Sequence, residues 1–422
     1  MATRSLKGKM VGAAIVILML TLMAAGAAAQ DQEAIPPEAP VPTKDIFDLI
    51  REWRHKPPKH PEKRLPGEPG KPMLSFIPYI GANSSNGFIV GAAGNIAFYR
   101  GDPATTRLST GVASVSFTSK GQILLTAKLA FYSRNNTWFI DGDNRFNLTS
   151  QDTYGLGTNT PPSAEVDTKY NMLRVYETLY RRVFPGFSLG AGLYLNIHAD
   201  VRPAEASEAV WDESPYVTYS EQNGFDLSPQ TSAGTGISAM FDNRDSPIDP
   251  SLGWYASAKY RFFFKGFLGG ESSWQELEYD LRTYFRLSRD FRHRIALWVY
   301  GDLVTQGTAP YYGLPATGMD TYGRNGRGYL QGRYRGEQFV YGEIEYRWTI
   351  TRNGLFGFVA FLNTETLSNK QTGEELFDAF APGAGVGFRL RMNKHSKTNI
   401  CFDLGWGNQG SSGFYVGIQE AF

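Results

Sequence analysis

Residues 272–306 read SSWQELEYDLRTYFRLSRDFRHRIALWVYGDLVTQ, and their pattern decides the fold. In the first half Leu277, Tyr279, Leu281, Phe285 and Leu287 alternate with Glu276, Glu278, Asp280, Arg282 and Arg286. In the second half Ile295, Leu297, Val299 and Leu303 alternate with Arg294, Trp298, Tyr300 and Asp302. A two-residue period puts one set on each face of a β-strand. Both runs exceed the roughly 9–11 tilted residues with which a strand crosses a bilayer. A soluble sandwich would also alternate, with its polar face in water and its apolar face on a core. The secretory start of this chain favours the other solution, a barrel with its apolar face in lipid.

Moving outward, similar patterns occur at 74–82, 87–99, 106–118, 121–133, 137–147, 169–183, 187–200, 232–242 and 253–264 before the quoted stretch. After it they occur at 337–350, 354–363, 381–392, 397–406 and 412–422. With the two halves of the quoted stretch (272–288 and 291–306) this makes sixteen strands, an even number as bacterial barrels require. The long connections, 148–168, 201–231, 307–336 and 364–380, all follow odd strands. Connections after even strands are short, as at Asn135-Asn136, Pro185-Gly186 and Arg352-Asn353. Outer-membrane barrels pair short periplasmic turns with long external loops, so both termini are expected in the periplasm. The expected fold is all-β, a 16-stranded antiparallel transmembrane β-barrel over 74–422 with a long lumen-inserted loop after strand 11.

The N-terminus reads as a signal peptide over 1–29. Arg4, Lys7 and Lys9 precede an apolar Val11–Met23, and Ala27-Ala28-Ala29 offers a cleavage site before Gln30. Cleavage would remove three cations and no acids, moving the formal charge from +1 to −2. That balance gives no reason to expect nucleic acid as a partner. Residues 30–73 are a Pro-rich periplasmic linker. Within it Thr43 could cap a short helix over 44–54, lying at the barrel mouth or plugging it, or the segment could be a plain tether. Beyond the signal no run of about 18 apolar residues occurs, which excludes helical membrane spans. Aromatics make up 14% of the chain and glycines number 46, suiting aromatic girdles and close strand approach. Cys401 is the single cysteine and the five histidines lack ligand spacing, so no metal and no cofactor are expected.

The loop 307–336, GTAPYYGLPATGMDTYGRNGRGYLQGRYRG, holds eight glycines, five tyrosines, four arginines and one acid, Asp320. Structureless loops this long are uncommon in compact domains. On strand 12, Val340, Ile344, Trp348 and Ile350 fall on the lipid side, leaving Glu343, Glu345 and Arg347 in the lumen. A lipid-facing charge would cost about 2–4 kcal/mol near the midplane. Arg327, in Gly326-Arg327-Gly328-Tyr329, could reach Glu343 or Glu345 in a bidentate pair, with the glycines letting the backbone approach the wall. A solvated external loop is the other possibility.

Here the sequence resembles a family. Arg327-Gly328-Tyr329, then Gly332-Arg333-Tyr334-Arg335 and a strand with Glu343 and Glu345, is similar to the signature loop of the BamA/TamA (bacterial surface antigen) family. Phe241-Asp242-Asn243-Arg244-Asp245-Ser246-Pro247, continuing to Pro250 and Gly253, resembles its acidic-arginine turn. Pro382-Gly383-Ala384-Gly385, Asp403-Leu404-Gly405 and the end Phe414, Tyr415 to Phe422 resemble its C-terminus. The resemblance implies that the terminal Phe is a signal read by barrel-assembly machinery. It also implies an outer-membrane protein that assists insertion or translocation of protein, or lipid. There are two departures. A 44-residue linker stands where the family carries POTRA domains, which makes this a short form. The strand-13 run Phe358-Val359-Ala360-Phe361-Leu362 lacks the family's aspartate, so strand 12 is expected to supply the carboxylate for Arg327.

The mechanism expected is a weakly closed seam between strands 1 and 16, loosened by Gly81, Gly87, Gly91, Gly94, Gly413 and Gly417. An opened edge would template an incoming strand, because unpaired backbone groups are costly in lipid. The partners expected are outer-membrane lipid, the barrel-assembly machinery for the chain's own insertion, and unfolded outer-membrane proteins. No catalytic residues are expected; His198 and His293 lack a neighbouring nucleophile. The alternatives are a passive pore or small-solute transporter, and a surface interaction protein using 148–168 and 201–231. Within the latter, WDESPYVTYSEQ reads as solvated loop.

Overall fold

A computed structural model describes residues 43–55 and 71–422, except 104, 289, 291 and 395. The signal peptide, its cleavage site and most of the linker lie outside the described residues.

Sixteen antiparallel strands close into one barrel in sequence order. They are β1 (Met73–Asn83), β2 (Gly87–Phe98), β3 (Ser109–Thr118), β4 (Ile123–Tyr132), β5 (Trp138–Thr153), β6 (Val166–Phe184), β7 (Phe187–Pro203) and β8 (Gln230–Asp242). The second half is β9 (Gly253–Phe263), β10 (Trp274–Arg286), β11 (His293–Gly307), β12 (Gln338–Thr349), β13 (Phe356–Leu367), β14 (Ala381–Asn393), β15 (Thr398–Gly407) and β16 (Ser412–Ile418). Each expected strand is present. The main shifts in bounds are at β5 and β6, which pair up to Thr153 opposite Val166 and shorten the connection expected at 148–168 to 154–165.

The register carries the alternation around the wall. Glu278 lies opposite Lys259 on one side and Asp302 on the other, all inward. Leu193, Ile237 and Leu362 are more than half exposed on the outward face. The core therefore sits inside the barrel. One aromatic cluster joins Tyr170, Tyr194, Phe263 and Trp274 of the wall to Tyr311 and Tyr312 of the β11–β12 loop. A second joins Tyr284, Trp298, Phe339 and Tyr341 to Tyr329, Tyr334 and Phe422.

Among the described residues three α-helices lie outside the wall. The first, α1 (Ile46–Trp53), is capped by Asp45, not Thr43. The Asp45 carboxylate accepts from the N–H of Phe47 and Asp48, and Asp48 reciprocates, a closed capping box. It seats on the short-turn end through Lys44 N–H to Asn353 O (3.0 Å) and Lys394 to Asp48 (2.7 Å). The other two, α2 (Glu208–Asp212) and α3 (Pro215–Gln222), correct the solvated-loop expectation for 211–222. Ser214 at the N-cap and Pro215 at the first turn start α3. Tyr216 and Tyr219 are buried, Tyr216 packing on Tyr311 and Tyr312 and Tyr219 on Tyr311.

The strand expected at 412–422 ends at Ile418. In β16 the outward positions are Phe414, Val416 and Ile418, so a continued strand would turn Glu420 into the apolar surroundings. Instead Gln419 adopts a positive φ of 75° and the last residues turn inward. Glu420 then meets Arg389 (2.7 Å) and Asn399 (2.6 Å).

Candidate functional site: the lumenal loop and the seam

The loop between β11 and β12 enters the lumen, and Arg327 is 3% exposed. Its Nε donates to Glu343 Oε2 (3.2 Å), and Nη2 donates to Glu343 Oε1 and to Glu345 Oε2 (2.5 Å for the latter). Nη1 donates to Asp403 Oδ2 (3.1 Å), and the guanidinium lies 3.7 Å from the Phe361 ring centre. Strand 12 was expected to provide the carboxylate alone; β15 provides another. Asp403 projects inward from β15 opposite Gly387 and binds Arg389, two residues further along β14, at 2.5 Å. The charges continue from Glu345 to Arg347 (2.6 Å), and Arg347 donates to the Phe422 carbonyl (2.8 Å). One polar chain thus links the loop, β12, β14, β15 and the C-terminus. With its partners this close, a buried charge recovers part of its desolvation cost.

The backbone fits as tightly as the charges. Gly328 has φ 111°, outside the range of ordinary L-residues, and donates its N–H to Tyr415 Oη (3.1 Å). A Cβ at Gly405 of β15 would fall 2.8 Å from Gly328 N. The strand-period glycines of β14 and β15 make a shelf on which the loop lies. Tyr329 Oη donates to Pro382 O (2.5 Å), and its carbonyl accepts from Tyr415 (3.0 Å). Gly326, also at positive φ, places the Arg327 turn beside Thr317.

The loop also reaches the other wall. Asp320 caps the N–H groups of Tyr322, Arg324 and Asn325. That turn directs the Thr321 carbonyl to Lys128 Nζ (2.5 Å) on β4 and Arg145 Nη2 (2.6 Å) on β5. Gln331 N–H donates to Ser85 Oγ (2.8 Å) after β1, and Arg324 donates to Ile418 O (3.0 Å).

The seam between β1 and β16 is short. Only Ala82 opposite Val416 and Asn83 opposite Tyr415 pair across it, supported by Phe414 N–H to Ser84 Oγ (3.0 Å). β1 pairs with β2 along its whole length. Among the described residues Met73 to Gly81 therefore have no strand partner on the seam side, and Leu74, Phe76 and Ile80 are more than 70% exposed.

In the β8–β9 turn, Asp242 holds Arg244 at 2.9 Å. Burial would raise the Asp245 acid, but hydrogen bonds from Ser251 Oγ and from the N–H of Ser251 and Leu252 outweigh it and hold the acid below its usual value. Pro247 lies within the turn, and Gly253 ends it at φ 102°, where a Cβ would come within 2.7 Å of Arg244 Cα. A residue not singled out from sequence, Asp249, is buried and binds Arg294 of β11 (2.7 Å) and Arg391 of β14 (3.2 Å), so the turn reaches in across the short-turn end. At the C-terminus Phe414 faces outward, Tyr415 faces the loop, and Phe422 is buried against Trp298 at 5.1 Å between ring centres. Among the described residues no cluster of possible metal ligands occurs.

A sequence profile described as the Omp85 superfamily domain matches residues 142–422. Among solved structures, BamA from Haemophilus ducreyi lacking POTRA domains 1–3 aligns with a TM-score of 0.54 at 13% identity, over 82% of this chain and 70% of that one. CdiB from Acinetobacter baumannii aligns at 0.51 and 12%, over 83% of this chain and 60% of that one. CdiB from Escherichia coli aligns at 0.51 and 11%, over 81% and 62%. This chain thus spans less than two thirds of either CdiB, and at these identities the likeness is one of fold. A search of curated protein sequences gave no match.

Proposed function

This chain belongs to the Omp85 superfamily, and from that premise we propose that it assists insertion or translocation of proteins at the outer membrane through the β1/β16 seam. The observation that carries the proposal is the two-pair closure between those strands. The unpaired N–H and C=O groups of β1 are a template for an incoming strand, and in lipid each unsatisfied group costs several kcal/mol. A client strand pairing there would recover that cost. Both termini face the periplasm, the helical cap over 204–229 faces outward, and the signal peptide is removed near Ala29. The Arg327 network holds β12 to β15 in register while the seam opens. The partners are outer-membrane lipid, the assembly machinery that reads the terminal aromatics, and unfolded outer-membrane proteins. No bond is made or broken, so catalysis has no place in the scheme.

Depletion of the protein followed by outer-membrane proteomics tests this function. Selective loss of other barrels is the expected outcome. An unchanged proteome, together with a steady open conductance from purified protein in planar bilayers, would replace the proposal with a passive pore.

A further inference from the structure

Below the loop turn lies a lumenal cavity of about 450 Å³. Strong charges line it, and most are already paired. Asp143 takes two nitrogens of Arg145 (2.8 and 2.6 Å). Glu276 takes Arg261 (2.7 Å), and Glu278 takes Arg261 (2.6 Å) and Lys259 (3.0 Å). Arg174 is different. It faces the cavity from β6, forms no salt bridge among the described residues, and its buried Nε has no hydrogen-bond partner among them. Its guanidinium lies 4.7 Å from the Tyr176 ring, Arg145 stands opposite it on β5, and the Asp143 and Glu276 carboxylates are near enough to attract it. Directly opposite on β7 stands Asn196, 4% exposed, whose buried Oδ1 is likewise without a partner.

We infer that Arg174 and Asn196 form a binding site for a small oxyanion, a phosphate group above all, inside this cavity. A guanidinium offers a planar fork of N–H donors that matches phosphate, and the carboxamide NH2 adds two more donors beside it. Leaving the Arg174 Nε–H buried and unbonded costs about 1–3 kcal/mol, which an anion accepting from the guanidinium would relieve; Asn196 contributes through its NH2 alone, since its Oδ1 is an acceptor. The acids that attract Arg174 most, Asp143 and Glu276, are already held by Arg145 and Arg261. Asp141 pairs in register with Thr178, four residues along β6 from Arg174. Asp302 is on β11, beyond Arg261 and Glu276. Lys128 also lines the cavity, though its ammonium is engaged by Thr321 O. Val112 of β3 and Gln419, just after β16, line the cavity as well, so it extends toward the strands that flank the seam. A phosphate could therefore arrive free in water or carried on a lipid headgroup. The site is independent of whether the seam admits proteins.

Isothermal titration of the full-length protein in phosphate-free detergent buffer tests the inference, with inorganic phosphate in one arm and dihexanoyl-phosphatidylethanolamine in the other. Saturable binding in either arm is expected, at least about tenfold weaker in Arg174→Gln and weakened in Asn196→Leu. The control Arg202→Gln, at an exposed position near the end of β7, should bind as the parent does. Heat-modifiability on gels verifies that each variant folds. Binding to phosphate places the source in water; binding to the lipid alone places it in the membrane. If neither probe binds, or if folded Arg174→Gln binds as well as the parent, the cavity is a water-filled space and the inference is overturned.

Discussion

Arg327 is the residue on which the lumen depends. Three carboxylates, Glu343, Glu345 and Asp403, converge on it, and Glu343 and Glu345 are fully buried. Arg327→Ala would strand them, and losing one partner of a buried pair costs about 3–5 kcal/mol. The expected outcome is loss of heat-modifiability and new protease sensitivity in 308–337; an unchanged gel shift and digest would remove Arg327 from its anchoring role. Glu271, in the β9–β10 loop, gives a pH prediction. Burial, with the Asp226 carboxylate adding, pushes it up to about 7 against a lowering hydrogen bond with the Thr231 backbone. A raised acid contributes its stability fully below the ordinary value of 4.5 and loses it as pH climbs through 7. Hydrogen exchange in the loop and in the adjoining cap should therefore quicken from pH 5 to 8 beyond the intrinsic rate, and Glu271→Gln should abolish that excess.

At the scale of elements, the loop sits on a glycine shelf. Gly328→Ala would combine a φ of 111° with a Cβ only 2.9 Å from the Trp406 carbonyl carbon. The strain should exceed about 1 kcal/mol, loosening the loop but leaving the wall intact. Limited proteolysis should detect cleavage within 308–337 while the folded barrel still migrates as one band. A variant as resistant as the parent would count against the shelf. The wall itself was legible in the sequence because inward charge and outward apolar side chains alternate through nearly every strand, as 272–306 displays. Three features were not. Asp403 lies sixty residues beyond Glu343, and only closure of the barrel brings them together. The Ser214-Pro215 start of α3 was visible as a cap followed by proline, but the surrounding polar residues masked it. The inward turn at Gln419 also left a signal, since uninterrupted alternation would have put Glu420 in lipid.

At the scale of the molecule, a barrel closed firmly along fifteen strand pairings is closed weakly at one. The loop touches both lips of that weak place, Ser85 on one side and Tyr415 and Ile418 on the other. An opening seam must therefore give up loop contacts as well as two backbone pairs. The most direct test is a reversible lock. In a Cys401→Ser background, Ala82→Cys and Val416→Cys place thiols on paired residues across the seam. With this protein as the cell's sole copy, oxidation should cut the yield of other outer-membrane barrels and reductant should restore it. If the fully crosslinked protein supports the same outer-membrane proteome as the reduced one, seam opening is not how this protein works.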